Sequence, residues 1–352
     1  MSRFFSAKYA SLTPYTPGEQ PQDMQYVKLN TNESPFPPSE KALAYAAANT
    51  RSLNLYSDPE QRELTRAVAE LCGVEPTGVL LTNGSDEILN FAFMAFCDAE
   101  HPAVFPDISY GFYPVFAQLN GIPYTEIPLR EDFTVDVDAI MATPGTVFLA
   151  NPNAPTGIRL PVSEVERIVA ASPDRVVVVD EAYVDFGEES CLPLVSRYDN
   201  VLITQTFSKS RSLAGGRLGF GVAQASLIAD LNTVKYSTNP YNVNSLTAAV
   251  AMGTLLDPGY TKANISAIKA TRAYTVEALT ERGFTVLPSE ANFVFAAHPD
   301  MDGEALYLGL KQRGVLVRHF TKPRIAEYNR ITIGTREQMD ALLAAIDDIF
   351  IS

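Results

Sequence analysis

Four consecutive valines followed by two acids, Val176-Val177-Val178-Val179-Asp180-Glu181, constrain this chain more than any other segment. A strand that is apolar at every position has no polar side to offer water, so both of its faces must be covered. Other short runs keep it company: Gly78–Thr82, Ala103–Phe105, Tyr124–Ile127, Thr146–Ala150, Val201–Thr206 and Leu218–Val222. Several of these are also continuously apolar. Longer helical patterns lie between them, at Ser85–Cys97, Tyr110–Leu119 and Pro161–Ala171. The last of these has Pro161 at its first position and acids in its early turns, both helix-start signals. Alternation of this kind predicts an α/β fold: a mostly parallel seven-stranded sheet flanked by helices, with ligands at the carboxyl ends of the strands.

Beyond about Ser245 the pattern changes. A largely helical stretch runs to Arg282, and a smaller α+β pattern follows. Its expected order is strand Val286–Leu287, strand Phe293–Ala296, helix Gly303–Arg313, strand Val315–His319, strand Arg330–Ile333 and helix Arg336–Ile349. The opening segment carries Pro14, Pro17, Pro21 and then Asn30–Pro38, too broken by proline to be core. It is expected to join the C-terminal part in a small domain built from both termini. The division read from the sequence is 1–34 as an N-terminal arm of the small domain, 35–245 as the large domain, 246–282 as connecting helices and 283–352 as the small C-terminal domain.

Several function classes fall away at this point. A net charge of −14 argues against a nucleic-acid partner, which requires a basic face. No stretch has the apolar length of a membrane span, and Met1 to Lys8 contain no apolar signal core. Cys72, Cys97 and Cys191 form no CxxC pair and fit reduced thiols in a cytoplasmic protein, with Cys97 as core at the end of a helical run. His101, His298 and His319 show no metal-ligand spacing, so no metal is expected.

Four segments can carry chemistry, each following a predicted strand. In Thr82-Asn83-Gly84-Ser85-Asp86-Glu87 a strand ends and a helix begins. Gly84 permits the tight turn, and the amides of Ser85 and Asp86 at the helix start can face an anion, although an ordinary N-cap reads the same way. Asp180 follows a fully apolar strand, so its carboxylate stands partly desolvated at the sheet mouth and needs a positive partner. Its neighbour Glu181 points the opposite way if the strand continues, which disfavours a glycosidase pair. Tyr183 adds a phenol nearby. The segment Thr206-Phe207-Ser208-Lys209-Ser210-Arg211-Ser212-Leu213-Ala214-Gly215-Gly216-Arg217 surrounds one lysine with hydroxyls and ends on an arginine, which describes a phosphate cup with an amine beside it. Its glycines form no dinucleotide fingerprint. The last segment, Asn151-Pro152-Asn153-Ala154-Pro155-Thr156-Gly157, is a turn by composition.

Taken in order, these segments resemble the fold-type I pyridoxal-phosphate (PLP) aminotransferases. Within them, Leu12-Thr13-Pro14-Tyr15, Leu29-Asn30-Thr31-Asn32-Glu33-Ser34-Pro35 and Tyr56-Ser57-Asp58-Pro59 look like the histidinol-phosphate aminotransferase branch. The resemblance runs from about residue 12 to the C-terminus. It implies PLP held by Lys209, with that amine shuttling the substrate proton. It also implies that Asp180 keeps the ring nitrogen protonated, Tyr183 bonds the ring oxygen and Tyr110 stacks on the ring. Phosphate would be held near Gly84 by Ser85 and Asp86, by Thr206, Ser208 and Arg217, and by Tyr56 from the partner of a homodimer. Arg318 and Arg330 match substrate-anion arginines, and Tyr15 is an aromatic lid candidate. Many relatives carry Asn where this chain has Ala154, so Asn153 or Tyr183 alone is expected to serve the ring oxygen. The implied reaction moves an amino group from histidinol phosphate to 2-oxoglutarate by a ping-pong mechanism, in histidine biosynthesis. An aromatic amino acid aminotransferase, a PLP-dependent decarboxylase of a phosphorylated amino acid and a non-catalytic PLP-fold regulator are the alternatives.

Overall fold

The valine run becomes the middle strand of a seven-stranded sheet in the computed structural model, which describes residues 2–49 and 51–351. In chain order the first strand is β1 (Val27–Lys28), which lies outside this sheet. The sheet is made of β2 (Val79–Thr82), β3 (Ala103–Pro106), β4 (Tyr124–Ile127), β5 (Thr146–Ala150), β6 (Val177–Asp180), β7 (Val201–Thr206) and β8 (Gly219–Val222). Its order is β2-β8-β7-β6-β5-β3-β4, with only β8 running against its neighbours, so the sheet is mostly parallel as expected. Alternation along β6 sends Val177 and Val179 into one apolar layer and Val178 into the other. Helices α2 (Arg62–Cys72) and α6 (Val162–Ala171) cover the first face. The second lies under α3 (Ser85–Phe96), α4 (Tyr113–Asn120) and α7 (Ala225–Thr238). At the sheet edge β4 departs from the pattern, because Tyr124, Thr125 and Glu126 are exposed and only Ile127 is buried.

A second apolar core gathers Leu29, Phe293, Val294, Leu306, Val315, Ile331, Leu342 and Ile346. It is formed by β10 (Phe293–Ala297), β13 (Asn329–Thr332), α10 (Gly303–Gln312), α11 (Arg336–Ile351) and the chain start. The connecting stretch is α8 (Ser245–Leu255) and α9 (Pro258–Glu281).

Four expectations need correction. Val315–His319 is not one strand: β11 (Val315–Leu316) pairs with β1, whereas β12 (Arg318–His319) pairs with β13 in another sheet. Apolar continuity through Val317 hid the break, because Val317 stays buried at the junction. Leu29 is 1% exposed, so the proline-broken opening does reach the core, carried there by the β1–β11 pairing. Pro161 is the N-cap of α6, which begins at Val162. Finally, α4 begins at Tyr113, which leaves Tyr110 in the loop after β3.

Helix α1 (Glu40–Asn49) packs closely on α8 at Gly253, where a Cβ would stand 2.6 Å from the Cα of Ala42 and 2.9 Å from its carbonyl oxygen. Backbone has little room to yield. Gly253→Ala is therefore expected to destabilise the protein by about 1–3 kcal/mol, the usual overpacking cost. A urea midpoint equal to that of the parent protein would show that the helices separate freely.

Candidate active site

The carboxyl ends of β5, β6 and β7 open on a small cavity of about 90 Å³. Asp180, the last residue of β6, is 5% exposed within it. Its neighbours are neutral: Tyr113 donates to one carboxylate oxygen at 3.4 Å and Thr204 to the other at 3.3 Å. Burial among apolar strands pushes its pKa up to about 7, and the negative charge of Asp86 pushes the same way. Glu181 points away, as adjacent strand residues must. It accepts from Ser190 at 2.6 Å and from Gln205 at 2.9 Å.

Lys209 stands in the loop after β7 and reaches the same cavity. Its Nζ donates to the carbonyl of Thr31 at 3.2 Å and lies 5.8 Å from the ring centroid of Tyr183. Burial lowers the amine to about 8, helped by the positive charge of Arg330. Opposite lies the helix start at Gly84, whose φ of +75° needs glycine. A Cβ there would meet the guanidinium of Arg217 at 2.5 Å. Arg217 donates to Asp86 at 2.9 Å and reaches the hydroxyl of Ser208 at 3.5 Å, while Tyr110 donates to the other Asp86 oxygen at 2.6 Å. Ser85, Thr206 and Ser208 complete the lining.

A larger cavity of about 600 Å³ shares Tyr110, Ala154, Tyr183 and Lys209 with the smaller one. Arg318 and Arg330 enter it from paired positions on β12 and β13. Neither forms an ion pair among the described residues. Arg318 donates to the carbonyls of Pro17 at 3.1 Å and Thr16 at 3.0 Å, and Arg330 to that of Asn30 at 3.0 Å. The Nε of Arg330 is buried and has no hydrogen-bond partner among the described residues, and burial holds the pKa of Arg330 below the ordinary arginine value. Tyr15 stacks on Phe112 with centroids 4.2 Å apart, on the wall of this cavity. Two guanidiniums outside any ion pair among the described residues, one buried amine and one buried carboxylate make a site for an anionic substrate and a polar ligand beneath it.

A family model described as Aminotransferase class I and II matches residues 24–346. The chain belongs to this family. It is 49% identical over 350 residues to histidinol-phosphate aminotransferase 2 of Rhizobium meliloti, a match covering 99% of this chain and 100% of that protein. It is also 49% identical over 356 residues to histidinol-phosphate aminotransferase 1 of Bordetella parapertussis, covering 100% of both. In three dimensions it resembles histidinol-phosphate aminotransferase from Sinorhizobium meliloti in complex with pyridoxal-5'-phosphate, with a TM-score of 0.90 over 99% of this chain and 98% of that one. At 24% identity that likeness is one of fold.

Within this aminotransferase the fold brings together Gly84, Ser85, Asp86, Tyr110, Asp180, Tyr183, Thr206, Ser208, Lys209 and Arg217 around the small cavity or at its rim, and Tyr15, Arg318 and Arg330 around the large one. Two expected residues stand elsewhere. Asn153 does not reach either cavity, a correction with a plain cause: its amide donates to Ile108 and Thr156, and its oxygen accepts from Ser109 at 2.9 Å. Tyr56 is 82% exposed and stacks on Tyr241, away from the cavities of its own chain. Sequence reasoning missed Asn32, whose amide donates to the Tyr183 phenol at 2.9 Å. The only signal was its place in the Leu29–Pro35 motif.

The raised pKa of Asp180 has a measurable consequence. Its folded-state value, about 7, exceeds the ordinary 3.8, so the folded protein binds that proton more tightly and loses stability as pH rises between those values. Between pH 5.5 and 7.5 the cofactor-free protein should lose about 2 kcal/mol through this group. Cofactor-free Asp180→Asn should lack that component in thermal unfolding. Equal pH dependence in both proteins would show that Asp180 titrates normally.

Proposed function

We propose that this aminotransferase moves an amino group from histidinol phosphate to 2-oxoglutarate in histidine biosynthesis, by a ping-pong sequence, with pyridoxal 5′-phosphate as its cofactor. The observation that carries the reading is the Arg318–Arg330 pair, neither of them in an ion pair among the described residues and both facing a cavity above Lys209. Histidinol phosphate brings a phosphate and no carboxylate, whereas glutamate brings two carboxylates. Two planar guanidiniums side by side can serve either anion in turn. The names of the full-length relatives support the same donor.

The small cavity fits the cofactor by its chemistry. Asp180 is a buried carboxylate with no ion pair among the described residues, and a protonated ring nitrogen would supply the cation. The Gly84 turn, Ser85, Thr206, Ser208 and Arg217 offer donors to a phosphate, and Tyr110 and Tyr183 offer an aromatic wall and a phenol. When bound, PLP supplies an electron-poor ring that carries the amino group and takes up the electron pair at the reacting carbon. Lys209, with its amine at about 8, is the nucleophile that holds the cofactor and the base that moves the proton at its Nζ. Asp180 stabilises the positive ring nitrogen. Arg330, dehydrated among Phe293 and Phe320, orients the substrate's anionic end.

The purified protein should carry a visible absorbance band that Lys209→Ala loses, with amino transfer reduced by orders of magnitude. Near-normal turnover in Lys209→Ala would end the assignment. In the parent protein, 2-oxoglutarate-dependent transfer should be far faster from histidinol phosphate than from phenylalanine. The reverse order would replace this reading with an aromatic aminotransferase.

The homodimer belongs to the same proposal. Leu53, Leu55 and Tyr56 are all largely exposed, as is Tyr241 beneath Tyr56, an apolar surface suited to a second copy. Tyr56 then reaches the partner's phosphate site. Mixing inactive Lys209→Ala subunits with impaired Tyr56→Phe subunits should restore activity through one intact site per mixed dimer. Sedimentation of an active monomer would refute it. No helix among the described residues is long and apolar enough to cross a membrane, and the proposed setting is the cytoplasm.

A further inference from the structure

Asn32 combines three features that ordinary loop residues lack. It is 1% exposed, and its backbone is left-handed at φ +55°, a conformation that asparagine tolerates better than most side-chain-bearing residues. Its polar groups also all have partners. Its N–H donates to Thr332 Oγ1 at 2.9 Å, its Oδ1 accepts from the same hydroxyl at 3.1 Å, and its carbonyl accepts from Asn292 at 3.0 Å. Because Thr332 Oγ1 already accepts the Asn32 N–H, its own proton is free to go to Oδ1. With that proton on Oδ1, Nδ2 is left to donate to Tyr183 Oη at 2.9 Å.

The direction of this last bond matters. A phenol oxygen that accepts from Asn32 must aim its proton elsewhere, and no acceptor for that proton exists among the described residues. Tyr183 lines both cavities, and position 154 beside it is an alanine with nothing polar to contribute. The charged groups acting on the phenol are Arg330, Asp180 and Asp86, with the Lys209 amine 5.8 Å from its ring. None of them accepts its proton.

We propose that Asn32 is a positioning residue: its amide turns the Tyr183 proton into the cavity, where it is donated to the ring oxygen of the bound cofactor. The amide thereby ties the small-domain strand carrying Thr332 to the phenol at the sheet mouth. This rests on the reading that the small cavity takes PLP. A donated bond favours negative charge on the ring oxygen, so its loss raises the pH at which the bound cofactor's visible absorbance titrates.

Asn32→Asp is the informative variant. It keeps the shape and the Thr332 bonds but cannot donate, so the phenol turns its proton toward the new carboxylate. With PLP bound, Asn32→Asp and Tyr183→Phe should each raise the titration by about one pH unit, as loss of one hydrogen bond to a charged oxygen requires. The double variant should shift no further than either single one. If Asn32→Asp moves the titration as far in the Tyr183→Phe background as in the parent protein, the added charge acts alone and the proposal falls. Asn32→Gly, which adopts the left-handed backbone without strain, removes the amide should the aspartate variant misfold, and the same outcomes apply. A double-mutant cycle on thermal unfolding of the cofactor-free protein, using Asn32→Gly and Tyr183→Phe, reads the bond whatever the pocket binds. Additive effects there overturn the proposal, and a coupling supports it even if the parent protein shows no visible band, a result that would count against the PLP reading instead.

Discussion

A carboxylate buried at the mouth of an apolar sheet, in no ion pair among the described residues, is the constraint from which the rest of this molecule follows. Asp180 is there because β6 is the middle strand and both of its faces are filled with valine and its neighbours. Such a group stays protonated or waits for a positive ligand. The same strands that bury it also end together, so Ala150, Asp180 and Thr204 stand abreast, and the loops leaving β6 and β7 deliver Tyr183 and Lys209 to one small space. Fold and site are one arrangement.

The second set of charges is imposed from outside that sheet. Arg318 and Arg330 come from the small core, and their side-chain hydrogen bonds among the described residues go to backbone carbonyls of Thr16, Pro17 and Asn30 in the N-terminal arm. Carbonyls accept from a guanidinium without neutralising it. The arm therefore orders both arginines while leaving their charge available to an anion, which an aspartate partner would not do. Tyr15, on the same arm, closes the cavity wall over Phe112.

Much of this was legible in the sequence because it is local. Tyr124–Ile127, Thr146–Ala150 and Val201–Thr206 begin and end where the sequence reading puts them, and the chemistry-bearing residues follow strand ends. Arg318 and Arg330 stand on consecutive expected strands, so their pairing required only that those strands be neighbours. What could not be read depends on residues far apart in the chain. Nothing around Val317 marks the point where one sheet hands over to another, because the residue is buried on both accounts. Asn153 looked available until Ile108, Ser109 and Thr156 claimed its amide. Asn32 meets Tyr183 across 151 residues, and no spacing rule encodes such a contact. Apolar periodicity reports burial, whereas polar satisfaction is settled only in three dimensions.

In the proposed reaction one arginine pair serves a phosphate in one half-reaction and a carboxylate in the other. Stopped-flow measurement of the two half-reactions in Arg330→Ala tests it most directly. A buried charged hydrogen bond of this kind is worth about 2–5 kcal/mol. The account predicts that kcat/KM falls by a similar large factor with histidinol phosphate and with glutamate. A loss confined to one of the two would contradict it.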